Sequence, residues 1–210
     1  MITIVDYGMG NLASIKNMLK KIGHSSTISS EIEQIKAATK LILPGVGSYD
    51  SGMKNLHERK LIDVLNKKVL DDKTPVLGIC LGMQLLANHS EEGAEKGLGW
   101  INADVIRFRQ ELASEKLHIP HMGWNFVNWS KRTALVSEIP LPSRFYFVHS
   151  YHISNVPLEW VLGETTHGYS FVSAVEKDNI IGVQYHPESF LTQDGERLLK
   201  NFLEGAFFKA

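Results

Sequence analysis

Short β-branched runs alternate with segments of helical spacing through the first half of the chain, the pattern of parallel strands covered by helices. Ile2–Val5 reads as the first strand. After Gly8–Met9–Gly10–Asn11, the residues Leu12, Ile15, Met18, Leu19 and Ile22 recur on one helical face. Lys40–Leu43 predicts the next strand, with Pro44–Gly45–Val46–Gly47 as a loop behind it. Helical spacing then covers Tyr49–Leu56 and Leu61–Leu70. Val76–Ile79 predicts a strand that delivers Cys80, and a helix beginning near Leu81 carries Met83, Leu85 and Leu86. Beyond Gly97 the texture changes. Asp104–Phe108, Phe145–His149, Trp160–Thr165, Phe171–Val175 and Ile180–Gln184 predict shorter, more antiparallel strands, and Glu196–Phe207 a closing helix. No repeat, linker or low-complexity segment interrupts the pattern.

A chain of 210 residues is long enough for one domain, residues 1–210, with a substantial core. Hydrophobic residues make up 43% and charged residues 21%, with a formal net charge of −1, so no basic patch points to nucleic acid. No positive n-region precedes the apolar residues of Met1–Asp6, and no run approaches the roughly 20 apolar residues of a membrane span. The expectation is a soluble cytoplasmic protein. A single cysteine excludes an internal disulfide.

That cysteine sits at the centre of Gly78–Ile79–Cys80–Leu81–Gly82. Glycine two positions either side of a nucleophile permits the cramped strand-to-helix turn that lifts a side chain clear of the sheet edge. A thiolate there is stabilised by free backbone N–H groups and the positive end of the helix dipole. The N–H of Leu81 would point at any carbonyl that Cys80 attacks, half of an oxyanion hole. A free cysteine is more commonly a small buried hydrophobe, and the glycine pair on a predicted turn is what favours the reagent.

A nucleophile needs a base, and Val183–Gln184–Tyr185–His186–Pro187–Glu188 offers one at a predicted strand end. In extended structure His186 and Glu188 share a face, unless Pro187 distorts it. A carboxylate can then hold one ring nitrogen while the other serves the thiol, a Cys-His-Glu triad. A lone His-x-Glu is usually an inconsequential surface pair, and eight other histidines compete, among them His121 and His149. Position at a strand end favours His186.

The elbow with Met83–Gln84, the Pro44–Gly47 loop and His186–Pro187–Glu188 together resemble the class I, triad-type glutamine amidotransferases. Within that family they resemble the glutaminase subunits of imidazole glycerol phosphate synthase. Asp6–Leu12, Pro120–Asn125, Tyr146–Tyr151 and Leu198–Phe202 look like signatures of those subunits, in order and over nearly the whole chain. The resemblance implies an α/β, flavodoxin-like fold: a central, mostly parallel sheet flanked by helices, with an additional antiparallel sheet. It implies glutamine hydrolysis through a thioester on Cys80, with His186 as base and acid and Glu188 orienting it. Val46 and Gly47 would supply the second oxyanion donor beside Leu81, in a loop that rearranges when the partner's substrate binds. Gln84, His149, Ser150 and Tyr151 match positions that hold glutamine. No cofactor or metal is implied. A barrel-type synthase, forming a heterodimer, would receive ammonia at a face containing Asn11, Trp124, Asn125 and Tyr146. No phosphate-cradling motif is evident for a second substrate, which also places the acceptor site on another chain.

Two departures stand out. The histidine-pathway subunits usually read His-Pro-Glu-Lys-Ser, whereas Ser189–Phe190 follows Glu188 here, and Gly99–Trp100 is bulkier than usual. The His-Pro-Glu-Ser form occurs in other triad amidotransferases, so the departures bear on the partner rather than on catalysis. A similar subunit that feeds ammonia to enzymes modifying surface-polysaccharide sugars is the alternative. A non-catalytic regulatory homologue is a further one, opposed by the complete Cys80, His186 and Glu188 set.

Overall fold

The computed structural model describes residues 1–113, 116–189 and 193–205. The strands are β1 (Ile2–Val5), β2 (Ser26–Ser29), β3 (Lys40–Leu43), β4 (Val76–Ile79), β5 (Asp104–Arg107), β6 (His121–Trp129), β7 (Ser143–His149), β8 (Tyr151–Ser154), β9 (Val161–His167), β10 (Tyr169–Lys177) and β11 (Ile180–Val183). The helices are α1 (Leu12–Lys21), α2 (Ile32–Lys36), α3 (Tyr49–Glu58), α4 (Ile62–Asn66), α5 (Leu81–Gln84) and α6 (Gln193–Glu204). Among the described residues nine strands form one sheet in the order β2-β1-β3-β4-β11-β10-β9-β6-β7. From β2 to β11 neighbours run parallel; from β11 to β7 they run antiparallel. β5 and β8 form a separate antiparallel pair.

Alternation along the central strands sorts the core into two layers. Ile4, Ile42, Leu77 and Ile79 join Ile15 and Leu19 of α1 and Leu198 and Phe202 of α6. Val5, Leu41, Leu43 and Val76 join Ile35 of α2, Met53 and Leu56 of α3 and Leu65 of α4. The sheet is therefore covered by helices on both faces, as βαβ crossovers require. Trp100 belongs to the second layer, buried and donating from Nε1 to Asn66 Oδ1 at 2.7 Å. Its bulk serves packing.

Several boundaries differ from the sequence expectation. The helix after Cys80 stops at Gln84, because the carbonyls of Leu85, Leu86 and Ala87 accept from Leu98, Trp100, Ile101 and Gly99 instead. The helical run at Leu61–Leu70 splits into α4 and a wider turn at Lys67–Asp71, closed by Asp72 N–H to Lys67 O at 2.9 Å. β11 pairs parallel to β4 on one side and antiparallel to β10 on the other, so it joins the parallel and antiparallel parts of the sheet; all four of its residues are buried, as a two-sided strand demands. β2, α2, β6 and β8 were not anticipated. The closing helix runs over Gln193–Glu204, and the expected extension to Ala206 and Phe207 lies outside the described residues.

The turn after β4 depends on close approach. A Cβ on Gly82 would lie 1.8 Å from Leu43 O, a backbone atom fixed in β3. Gly82→Ala must therefore break the seat of the turn, and a loss of about 3 kcal/mol is expected from overpacking. Urea denaturation checks it; an unchanged midpoint would refute the close packing.

Candidate active site

β4 carries the chain to Cys80, which adopts φ 52° and ψ −109°. A non-glycine residue there is strained, and such strain persists only where surrounding contacts enforce it. Cys80 N–H donates to Val183 O at 2.8 Å, and Met83 and Gln84 N–H close on Cys80 O. The thiol stands at the start of α5, where the first N–H groups lack intrahelical acceptors. The Pro44–Gly47 loop lies directly on this helix start. A Cβ on Gly45 would come within 2.5 Å of Leu81 Cβ and 2.6 Å of Gly82 N, so only glycine allows the approach. Val46 and Gly47 are consequently held beside Leu81 while remaining exposed.

His186 arrives by a different route from the one its spacing predicts. β11 ends at Val183, and Tyr185 is buried with its ring 4.0 Å from that of Phe145. The chain then crosses to β7, where His186 N–H donates to Tyr146 O at 2.9 Å in an isolated antiparallel bridge, and Ser189 N–H turns back to His186 O. This turn, rather than a shared strand face, brings Glu188 Oε1 to 2.9 Å from His186 Nδ1. Both side chains are buried. His186 Nε2 and Glu188 Oε2 are enclosed without a well-formed hydrogen bond among the described residues. Burial opposes the imidazolium, but hydrogen bonding and charge from Cys80 and Glu188 outweigh it and push the His186 pKa up to about 10. Glu188 holds Nδ1, and Nε2 is left for a further partner.

A cavity of about 230 Å³ opens at Cys80, lined by Val46, Leu81, Gln84, Glu92, Val148 and Tyr151 among others. Gly47, His149 and Ser150 also line it. Glu92 was missed by sequence reasoning, since a glutamate in a polar loop carries no spacing signal. It is held by Tyr49 N–H, which donates to Oε2 at 2.8 Å. A second, more open groove of about 510 Å³ is lined by Asn11, Tyr146, Val148, His186 and Glu188, with Ser189 at its edge. Val46 and Val148 are common to both.

The expected partner residues separate along β6. Trp124 faces outward with Met122 and Phe126, all exposed, and its ring meets Tyr146 at 5.9 Å and the Arg144 guanidinium at 5.8 Å. Asn125 turns the other way: its Nδ2 donates to Thr166 O and faces His121 Nε2, while Oδ1 accepts from Phe126 N–H. Asn11 is exposed and caps α1 through Ser14 N–H. Both nitrogens of His149 are likewise committed, to Tyr151 O at 2.7 Å and to His121 at 3.0 Å. Among the described residues no helix is long and apolar enough to cross a membrane.

An elbow-borne cysteine facing a buried His–Glu pair is the arrangement expected of a class-I glutamine amidotransferase, and the chain belongs to that family, whose model matches residues 3–206. Two solved structures share the fold. One, a glutamine amidotransferase, has a TM-score of 0.74 at 19% identity, covering 97% of each chain. The other, PurLQS from Thermotoga maritima, has 0.72 at 16%, covering 96% of each. More similar in sequence is the imidazole glycerol phosphate synthase subunit HisH 2 of Methanococcus maripaludis, 55% identical over 98% of this chain and the whole of that protein. The subunit HisH 2 of Pseudomonas aeruginosa is 46% identical over 97% and 99%. HisH of Leptospira borgpetersenii is 42% identical over 96% and 98%.

Proposed function

We propose that this chain is the glutaminase subunit of an imidazole glycerol phosphate synthase and passes ammonia to a barrel-type synthase subunit in histidine biosynthesis. The observation that carries the reading is the strained Cys80 in the wall of a cavity, opposite the buried His186–Glu188 pair. Full-length similarity to proteins of that name supports it.

The cavity suits glutamine, with Gln84 and Glu92 bringing side-chain oxygens toward its α-ammonium and the Ser150–Tyr151 backbone toward its α-carboxylate. Cys80 Sγ attacks the side-chain amide carbon, and the carbonyl electron pair moves onto oxygen. The N–H groups of Leu81 and of Val46 or Gly47 hold that oxyanion. Collapse restores the carbonyl and breaks the C–N bond, while His186 gives its proton to the leaving nitrogen. Ammonia departs and a thioester remains. Water then attacks, His186 takes its proton, the C–S bond breaks with its electron pair returning to sulfur, and glutamate is released. Glu188 keeps Nδ1 protonated throughout, so Nε2 is the nitrogen that works.

The test is a glutamine-mimicking electrophile followed by mass spectrometry, with and without the partner. An adduct on Cys80 supports the reading, and its absence in both conditions defeats it. Ammonia released to water is protonated and lost, so the outer face should bind the synthase. Trp124→Ala should leave thermal stability nearly unchanged yet weaken the complex about thirtyfold, as loss of an aromatic anchor of about 2 kcal/mol does. Titration calorimetry with the synthase checks it, and wild-type affinity would remove Trp124 from the interface.

One observation favours a second acceptor. Ser189 puts a hydroxyl at the groove where the histidine-pathway pattern has a lysine, and two of the relatives named above are numbered as second subunits. An amidotransferase for a surface-polysaccharide sugar fits that departure. Reconstitution with a histidine-pathway cyclase decides: stimulation of glutamine turnover by its nucleotide substrate supports the first reading, and its failure beside stimulation by a sugar-modifying enzyme supports the second.

A further inference from the structure

The catalytic cycle above uses Cys80, His186 and Glu188, yet another buried side chain touches the sulfur. Gln184, fully buried just beyond β11, places Nε2 at 3.6 Å from Cys80 Sγ. Its amide orientation is dictated by its neighbours. Tyr151 O is a backbone carbonyl and can only accept, so the Gln84 amide atom 3.0 Å from it is Nε2. The same Nε2 lies 3.1 Å from Gln184, whose facing atom is therefore Oε1. That leaves the Gln184 NH₂ turned toward sulfur. Flipping the amide would set two NH₂ groups against each other.

Tyr151 O fixes a second branch in the same way. It accepts from His149 Nδ1–H at 2.7 Å, so His149 Nε2 accepts from His121 Nδ1–H at 3.0 Å. His121 Nε2 in turn accepts from Asn125 Nδ2 at 3.0 Å. Burial holds His121 down to about 3 and His149 well below its ordinary value, so both rings are neutral and the branch keeps one direction. Every bond meeting Tyr151 O is thus a donation toward it, and the Gln84–Gln184 pair has no alternative arrangement.

We propose that Gln184 is a catalytic residue whose amide N–H stabilises the Cys80 thiolate. The inference rests on Cys80 being the glutaminase nucleophile. A thiolate accepts a stronger hydrogen bond than a thiol, and a donor locked by two other residues needs no reorganisation when charge appears. The charge is on sulfur twice in the cycle: before attack, and when the C–S bond of the thioester breaks and its electron pair returns to Sγ. Gln184 acts at both points, and the second predicts thioester accumulation when the donor is lost.

The test is Gln184→Met, of similar length and without an N–H, read by alkylation of Cys80 with iodoacetamide in the full chain. The pH profile of alkylation should move to higher pH, and on its acidic limb, where the rate follows the thiolate fraction, alkylation should slow about tenfold, the worth of one charge-assisted hydrogen bond. A purely structural role would not move that profile. Gln184→Leu, which fills a similar volume and also lacks the donor, should shift the profile by as much. Wild-type profiles in either folded variant overturn the proposal, and so does failure of both variants to fold, which would make Gln184 a keystone of packing. Absence of labelling in the wild-type chain overturns instead the glutaminase reading beneath it.

Discussion

Cys80→Ala should abolish glutamine-dependent synthesis by the assembled enzyme, a loss on the order of 10⁶-fold, comparable to removing the nucleophile of other covalent triads. Synthesis by the partner from added ammonium should survive, because on the proposed reading the acceptor chemistry lies on another chain. The loss cannot be a folding effect. Alanine removes only sulfur from a residue whose backbone is held by Val183 O, the Met83 and Gln84 N–H groups and the packing of Gly82 on Leu43. The assay pair is glutamate release and ammonia-dependent turnover on one preparation. Loss of both would mean that the division of labour is different, and retention of glutamine-dependent turnover would remove Cys80 from the chemistry.

His186→Ala should be nearly as severe, whereas Glu188→Gln should cost at least about tenfold less, since an orienting acid is less indispensable than the base it orients. Glu188 Oε1 accepts from Nδ1 at 2.9 Å, and glutamine can offer an amide oxygen in the same place without the charge. The pH consequence follows from the raised pKa. Burial works against the imidazolium, but Cys80 and Glu188 lift the folded-state value to about 10, above the roughly 6.5 of an unfolded histidine. The contribution of this cluster to stability is then complete below about pH 6.5 and is lost as pH rises through the folded value. Imidazole NMR should show His186 protonated from about pH 6 to about pH 8 in the wild type, and titrating at lower pH in Glu188→Gln. An ordinary titration in the wild type would contradict the paired geometry.

The elbow was legible because its constraints are local. A strand, a cysteine flanked by glycines and a helix start each leave a mark within a few residues, and the structure returned them at Val76–Ile79, Cys80 and Leu81. The His186–Glu188 pair was legible for a partly mistaken reason: the residues meet through a turn, not on a strand face. β6 was missed although Met122, Trp124 and Phe126 alternate with His121, Gly123 and Asn125: the run is short, its apolar members are the exposed ones, and the alternation breaks at Phe126–Val127. Gln184, Glu92 and the His121–His149 contact were invisible because their meaning lies in partners far along the chain, 104 positions away for the bond from Gln184 to Cys80. The shortness of α5 has the same origin: carbonyls from Leu85 to Ala87 are claimed by a loop more than ten residues downstream.

Val46 and Val148 stand in the walls of both the cavity at Cys80 and the larger groove beside it. A partition of two hydrocarbon side chains sorts solutes by charge. On the proposed reading two products form on one side of it. Glutamate, ionic at both ends and along its side chain, has no favourable way through and leaves by the path glutamine took. Ammonia, while still unprotonated, crosses apolar ground at little cost. On that reading the two valines would separate the waste from the goods, and only for as long as the ammonia had not met a proton.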